Sequence, residues 1–174
     1  MGEVTAYIGL GSNLGDGRKI LRSAWKTLGD AAGVELVALA RPYRTAPVGM
    51  ASEHWFTNSV GCLRTSLAPE ELLSLLFRVE ADFGRKRDET VPGYHDRSLD
   101  LDLLYFGELC LDTPRLVLPH PGITERLFVL VPLAELDPCF VDPQSGASVD
   151  ELVIQLRKRL QDEGQGQDIV AQEW

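Results

Sequence analysis

Arg97-Ser98-Leu99-Asp100-Leu101-Asp102-Leu103-Leu104-Tyr105-Phe106-Gly107-Glu108 is the run around which the rest of this chain is arranged. From Leu99 it alternates apolar and acidic residues and then turns wholly apolar, the pattern of a strand with one buried face and one wet face. Leu99, Leu101 and Leu103 then point into a core, and Asp100 and Asp102 share the opposite face. Two residues along a strand advance roughly 6.6 Å. That lets two carboxylates jointly hold a hard divalent cation, or a pair of ions about 3.5–4 Å apart. The solvated face of an edge strand would also read as Asp-x-Asp. Asp is depleted in strands, however, and Arg85-Lys86-Arg87 lies upstream with Arg97 directly before the acids. Carboxylates for a cation beside guanidiniums for phosphate are the parts of a nucleotide–Mg²⁺ site.

The chain has 174 residues, enough for one domain with a proper core. Its net charge of −9 argues against a general nucleic-acid binder, so a phosphate site must be built locally from clustered arginines. Met1 to Ala6 lacks a basic region followed by an apolar core, and no apolar run reaches the length of a membrane span. Cytoplasmic localisation, with no membrane or nucleic-acid partner, is the expectation. Cys62, Cys110 and Cys139 have no Cys-x-x-Cys spacing and read as reduced, mostly buried small apolar residues.

Working outward, Val4 to Leu10 is an apolar strand that runs into Gly9-Leu10-Gly11-Ser12-Asn13-Leu14-Gly15-Asp16. The glycines suggest a phosphate loop, but the Lys-Ser/Thr of a Walker motif is missing, so the stretch reads as a tight strand-to-helix turn. Asp16 is an N-cap for a helix from Arg18 to about Ala32. Val34 to Ala40 is a strand, Arg41 to Gly49 a proline-bearing loop, and Trp55 to Leu63 a second strand. Pro69 opens a helix whose buried face is Leu72, Leu73, Leu76, Val79 and Phe83, and Gly84 stops it. A charged, aperiodic loop leads to Arg97. Beyond the central strand follow a short hairpin return over Arg115 to Leu118, a mostly helical Ile123 to Leu136 with Pro132 limiting or kinking it, and a helix over Val149 to Leu160. Residues 161–174 read as a loosely ordered tail. Strand, helix, strand, strand, helix, strand is the order of an α+β, ferredoxin-like domain: an antiparallel sheet backed by helices, here with additional C-terminal helices.

These pieces resemble the 6-hydroxymethyl-7,8-dihydropterin pyrophosphokinase family of folate biosynthesis over nearly the whole chain, with residues 1–160 as the pyrophosphokinase domain. The resemblance rests on Tyr7-Ile8-Gly9-Leu10-Gly11-Ser12-Asn13-Leu14-Gly15, Tyr43-Arg44-Thr45-Ala46-Pro47, Phe56-Thr57-Asn58, and Glu80 ahead of Gly84-Arg85-Lys86-Arg87. It continues through Arg97 to Asp102 and Pro119-His120 with Arg126 and Phe128. It implies transfer of the β,γ-diphosphate of ATP to the pterin hydroxymethyl oxygen with release of AMP. It further implies two Mg²⁺ ions on Asp100 and Asp102; ATP and the pterin as small-molecule partners, and a monomer, are the expectation. Arg87 and Arg97 join the two aspartates as catalytic residues. Glu80, Arg85, Arg87, Arg97, Arg115, His120 and Arg126 match ATP positions. The pterin ring is implied between Phe56 and Phe128, with Asn58, Thr45, Asp100 and the backbone around Pro47-Val48 at its edge; one Asn side chain offers both donor and acceptor.

The chain departs from the common family pattern at Phe77, where a glutamine is frequent. It departs again at His95-Asp96 before Arg97, in a longer Arg87–Arg97 loop, and at Pro121 beside the histidine. Two other readings stand beside the enzyme: a non-catalytic pterin- or nucleotide-binding relative, and a metal-dependent phosphohydrolase working through Asp100 and Asp102.

Overall fold

The computed structural model of the protein describes residues 2–47, 54–85 and 97–174. Arg87, Val48 and the His95-Asp96 pair therefore lie outside the described residues. β1 (Val4–Ser12) sits inside an antiparallel sheet, paired with β5 (Asp100–Phe106) on one side and β4 (Phe56–Thr65) on the other. β2 (Val34–Leu39) and β3 (Tyr43–Thr45) share the far edge of β4, and β8 (Ile169–Ala171) adds to β3. β6 (Leu111–Asp112) and β7 (Val117–Leu118) form a separate hairpin. With α1 (Gly17–Gly29) after β1 and α2 (Pro69–Asp82) after β4, the core has the expected antiparallel sheet backed by helices.

Alternation along the strands gives the sheet two working faces. On one, Ala6, Ile8 and Leu10 of β1 and Leu101 and Leu103 of β5 pack under Leu21, Ala24 and Leu28 of α1 and Leu72, Leu76 and Val79 of α2. Helical spacing of those residues buries one stripe of each helix. Asp16 accepts from the Lys19 N–H at 3.2 Å, and the Glu71 carboxylate from the Ala68 N–H at 2.8 Å, so both helix starts have partners for their orphan donors. Gly84 follows α2 at φ +84°, a conformation that favours glycine at a helix end.

The other face is only partly covered. α3 (Leu127–Leu136) and α4 (Val149–Asp162) bury Tyr7, Val60, Leu104 and Tyr105 with Leu130, Leu133, Val149 and Leu156. A bulge opposite Tyr7 and Ile8 puts the adjacent Leu104 and Tyr105 both in this second core. Where α3 and α4 end, the same face emerges from cover, carrying the chain's two alternating acids.

Five local expectations change. β1 continues through Ser12, so Gly9 and Gly11 are strand residues rather than a turn. The Arg41–Gly49 loop contains β3, which borrows its regularity from β4. Helix does not run unbroken from Ile123: a 3₁₀ turn over Ile123–Glu125 is separated from α3 by Arg126 in an extended conformation, while Pro132 lies inside α3. The tail after residue 160 is not loose throughout, because β8 pairs with β3 and the Trp174 indole N–H donates to the Ala40 carbonyl at 3.1 Å. All three cysteines are free as expected, but Cys110 and Cys139 are exposed and only Cys62 is half-buried. Among the described residues no helix is long and apolar enough to cross a membrane.

Candidate active site

Pairing register builds the floor. Gly11 lies opposite Asn58 on one side and Asp100 on the other, and Gly9 lies opposite Val60 and Asp102. Asn58, Gly11 and Asp100 thus form one row across three strands, with nothing projecting from its centre. A Cβ on Gly11 would stand 2.9 Å from Asn58 Oδ1. Glycine inside a strand marks close approach of a ligand or of another group, and here it leaves a trough between an amide and a carboxylate.

Two clefts open over this floor. One, of about 270 Å³, is lined by Gly11, Thr45, Phe56, Asn58 and Phe128 among others. The second, of about 350 Å³, is lined by Phe77, Arg85, Arg115, Leu116 and His120 among others. They share Arg97, Asp100, Asp102 and Arg126, so the acids sit at the junction. β5 is an edge strand of the sheet, as the simpler reading of Asp-x-Asp supposed, yet its acids face two cavities rather than open solvent.

In the first cleft, Asn58 Nδ2 donates to Thr45 Oγ1 at 2.7 Å, which fixes the amide with its oxygen over Gly11. The Arg126 guanidinium lies 5.7 Å over the Phe128 ring, within cation–π range. In the second, both Asp100 oxygens are engaged: Arg97 Nη1 donates to Oδ2 at 2.7 Å, and Arg85 Nη1 donates to Oδ1. Arg85 also donates to Glu80 Oε1 at 2.6 Å, and that oxygen accepts the Leu101 N–H at 2.7 Å. Glu80 is 1 % exposed and so ties α2 to β5 while aiming Arg85. Burial works against the Arg85 charge, but Asp100 and then Glu80 hold its pKa above the usual arginine value. Desolvation, and then the neighbouring Asp100 charge, push Asp102 above the usual carboxylate range, against the opposing pull of His120, Arg126 and Arg97. The Gly122 N–H donates to His120 Nδ1 at 3.1 Å. A neutral ring then carries its hydrogen on Nε2, which lies 3.9 Å from Asp102 Oδ1.

A family model described as 7,8-dihydro-6-hydroxymethylpterin-pyrophosphokinase matches residues 7–138. The chain belongs to that family. The 2-amino-4-hydroxy-6-hydroxymethyldihydropteridine pyrophosphokinase of Synechocystis is 40% identical over 151 residues, covering 87% of this chain and 75% of its own. The Bacillus subtilis protein of the same name is 42% identical over 131 residues, covering 75% and 77%. Among solved structures, the Plasmodium falciparum HPPK-DHPS crystallised with pteroate superposes with a TM-score of 0.74 at 12% identity. The match takes in 94% of this chain and 44% of that one, so this chain spans a little under half of the Plasmodium protein.

Among the described residues, those expected for a pyrophosphokinase come together in the two clefts, except Pro47 and Glu80. Thr45, Phe56, Asn58 and Phe128 meet in the first cleft, and Arg85, Arg115 and His120 in the second. Pro47 is half-buried and does not line the first cleft; its neighbour Ala46 does. Glu80, expected at the nucleotide, lines neither cleft and acts through Arg85 and Leu101. Arg115 reaches the second cleft with its guanidinium drawn aside, donating to Ser74 Oγ at 2.9 Å and 3.5 Å from Glu70 Oε2.

Sequence reasoning missed Gly9 and Gly11 as floor residues, although glycines two apart on one strand share a face. It also missed how Asn13 works. The Arg97 N–H donates to Asn13 Oδ1 at 2.7 Å and the Asn13 N–H to the Arg97 carbonyl at 3.1 Å, so Asn13 anchors the backbone entering β5.

Proposed function

We propose that the chain transfers the β,γ-diphosphate of ATP to the hydroxymethyl group of 6-hydroxymethyl-7,8-dihydropterin, with the nucleotide in the second cleft and the pterin in the first. The observation that supports this assignment is the junction: among the described residues, two clefts of different character share Asp100, Asp102, Arg97 and Arg126. The first is walled by two aromatic rings and a fixed amide, which suits a flat heterocycle. The second gathers arginines in a chain of net charge −9, which suits a polyphosphate.

The donor set fits Mg²⁺. Among the described residues no cluster of three or more His, Cys, Asp or Glu exists. Asp100 and Asp102 put two carboxylates at the junction of the clefts, and Mg²⁺ commonly takes one or two, completing its shell with phosphate and water. Asp100 and Asp102 would hold it, two ions in this reading, and when bound it neutralises charge on the transferring phosphates and lowers the pKa of the attacking oxygen.

The chain's own residues do the rest by positioning and charge. Phe56, Phe128 and Asn58 hold the pterin so that its hydroxymethyl oxygen points at the junction, in line with the β-phosphorus. A new O–Pβ bond forms there as the bond from Pβ to the bridging oxygen breaks; that oxygen departs on AMP, and the hydroxymethyl proton is lost to water. Arg85 and Arg97 leave Asp100 for phosphate oxygens as the polyphosphate enters, which frees the carboxylate; Arg87 joins them. Arg126 spans both clefts, and Arg115 and His120 take the outer phosphate or ribose oxygens. The reaction proceeds in a cytoplasmic monomer in this reading.

Product analysis with ATP, Mg²⁺ and the hydroxymethyl pterin tests this. Pterin-dependent AMP with a diphosphorylated pterin is the expected result. ADP or free phosphate formed without the pterin would overturn it in favour of a phosphohydrolase, and pterin binding without turnover in favour of a non-catalytic relative.

A further inference from the structure

The segment after α4 lies beyond residues 7–138, the part that the family model matches, yet it touches both walls of the first cleft. At one wall, β8 pairs with β3, Ile169 opposite Thr45, and the Ala46 N–H donates to the Asp168 carbonyl at 3.3 Å. At the other, the Gln167 side chain grips the turn that carries Arg126. Its Oε1 accepts the Leu127 N–H and its Nε2 donates to the Glu125 carbonyl, both at 2.8 Å.

This two-point grip is the pairing a neighbouring strand would supply, made by one side chain. The orientation of the amide follows from its partners, since Leu127 can only donate and the Glu125 carbonyl can only accept. Leu127 begins α3, so its N–H is an orphan donor without an intrahelical partner. Arg126, between the two gripped residues, is extended at φ −130° and ψ 104°, a conformation that intrahelical bonds do not enforce. Arg126 lines both clefts and Phe128 lines the first. From α4, Arg159 adds a bidentate pair to the Glu125 carboxylate, Nη1 to Oε1 at 3.1 Å and Nη2 to Oε2 at 2.8 Å.

We propose that Gln167 is a positioning residue for the acceptor cleft: through Glu125 and Leu127 it sets Arg126 and Phe128, and through the next residue, Asp168, it couples them to the Thr45 wall. This rests on reading the first cleft as the pterin site. Phe128 and Thr45 belong to elements far apart in sequence, and the step from Gln167 to Asp168 holds their spacing. The spacing decides whether a flat ring fits between Phe56 and Phe128.

The test is steady-state kinetics of the full-length Gln167→Ala variant, with each substrate varied at saturation of the other, alongside a fluorescence titration of the pterin. Two neutral hydrogen bonds at stake correspond to a rise of about 5- to 150-fold in the pterin KM and Kd, with a clearly smaller rise in the ATP KM through Arg126. Gln167→Glu keeps the acceptor for Leu127 but sets a carboxylate against the Glu125 carbonyl, so it should recover little. The exposed Gln165→Ala is the control and should match wild type. Unchanged pterin kinetics in Gln167→Ala, with wild type active, would overturn the proposal. So would equal losses for both substrates with a lowered Tm, which mark a purely structural role. A wild-type chain that neither binds nor converts the pterin would instead remove the reading beneath it.

Discussion

Gly11→Ala puts the trough to a direct test. The residue occupies the middle of the row Asn58–Gly11–Asp100, and its added methyl would sit 2.9 Å from Asn58 Oδ1 and 3.9 Å from Asp100 Cβ. The first distance is shorter than carbon and oxygen normally approach, so the amide must turn away. Turning strains the 2.7 Å bond from Asn58 Nδ2 to Thr45 Oγ1 and removes the amide oxygen from the ring edge. A polar group left unsatisfied in a nearly buried place costs about 1–3 kcal/mol, or roughly 5- to 150-fold in pterin affinity. The fold should hardly notice. Gly11 has no positive φ, so alanine adopts its backbone freely, and a less flexible unfolded chain contributes about 0.4–1 kcal/mol in favour of the variant. Calorimetric titration of the pterin and thermal unfolding, on the same preparation, read the two effects separately. Pterin affinity within about twofold of wild type, in a variant that keeps its Tm, would refute the assignment of the glycine floor to the acceptor.

Glu80→Ala should destabilise the fold by about 3–5 kcal/mol, because it strands the Leu101 N–H and half of Arg85's pairing in a buried place. In a domain of this size that is a fall in Tm of roughly 6–20 °C; Glu80→Gln keeps the acceptor for Leu101 and should cost clearly less, so equal losses in urea unfolding would contradict the positioning role. Asp102→Asn should raise the Tm at pH 7 in metal-free buffer while turnover is lost. Burial and Asp100 raise the Asp102 pKa, so its charge opposes folding above the folded pKa, and that penalty vanishes below the unfolded one. Wild-type stability should therefore gain from this group as pH falls through the folded pKa, a gain the Asn variant lacks. A lowered Tm in Asp102→Asn would count against the sign of this effect. Phe128→Ala should weaken pterin binding by roughly tenfold through the lost ring contact and leave ATP binding within about twofold. Similar losses for both would make Phe128 a packing residue of α3.

Much of the site was legible because its signals are local. Alternation from Leu99 to Asp102 placed two acids on one face, and the same alternation buried Leu101 and Leu103. Arg97 is readable from its place directly before the acids, whereas Phe56, Asn58 and His120 are expected only through the resemblance to the family. Gly9 and Gly11 were misjudged because glycine in a turn and glycine in a strand are the same letter; only the strands on either side, and the side chains at Asn58 and Asp100, distinguish them. Glu80 lies on the expected helix, but its bond to the Leu101 N–H joins residues 21 apart in the chain, which no local pattern shows.

The sequence by itself thus determined the antiparallel sheet backed by helices, the acid pair and the residues that flank it. Periodicity and pairing preference are properties of neighbouring residues, and each needs only a few of them. Tertiary structure alone decided that two clefts share one junction, that β8 completes the sheet, and that Gln167 grips the turn around Arg126. Those depend on register between strands and on bonds spanning 40 residues and more. A three-residue strand such as Ile169–Ala171 has too few positions to show a period, and it is regular only because β3 supplies the partner groups that its backbone must satisfy.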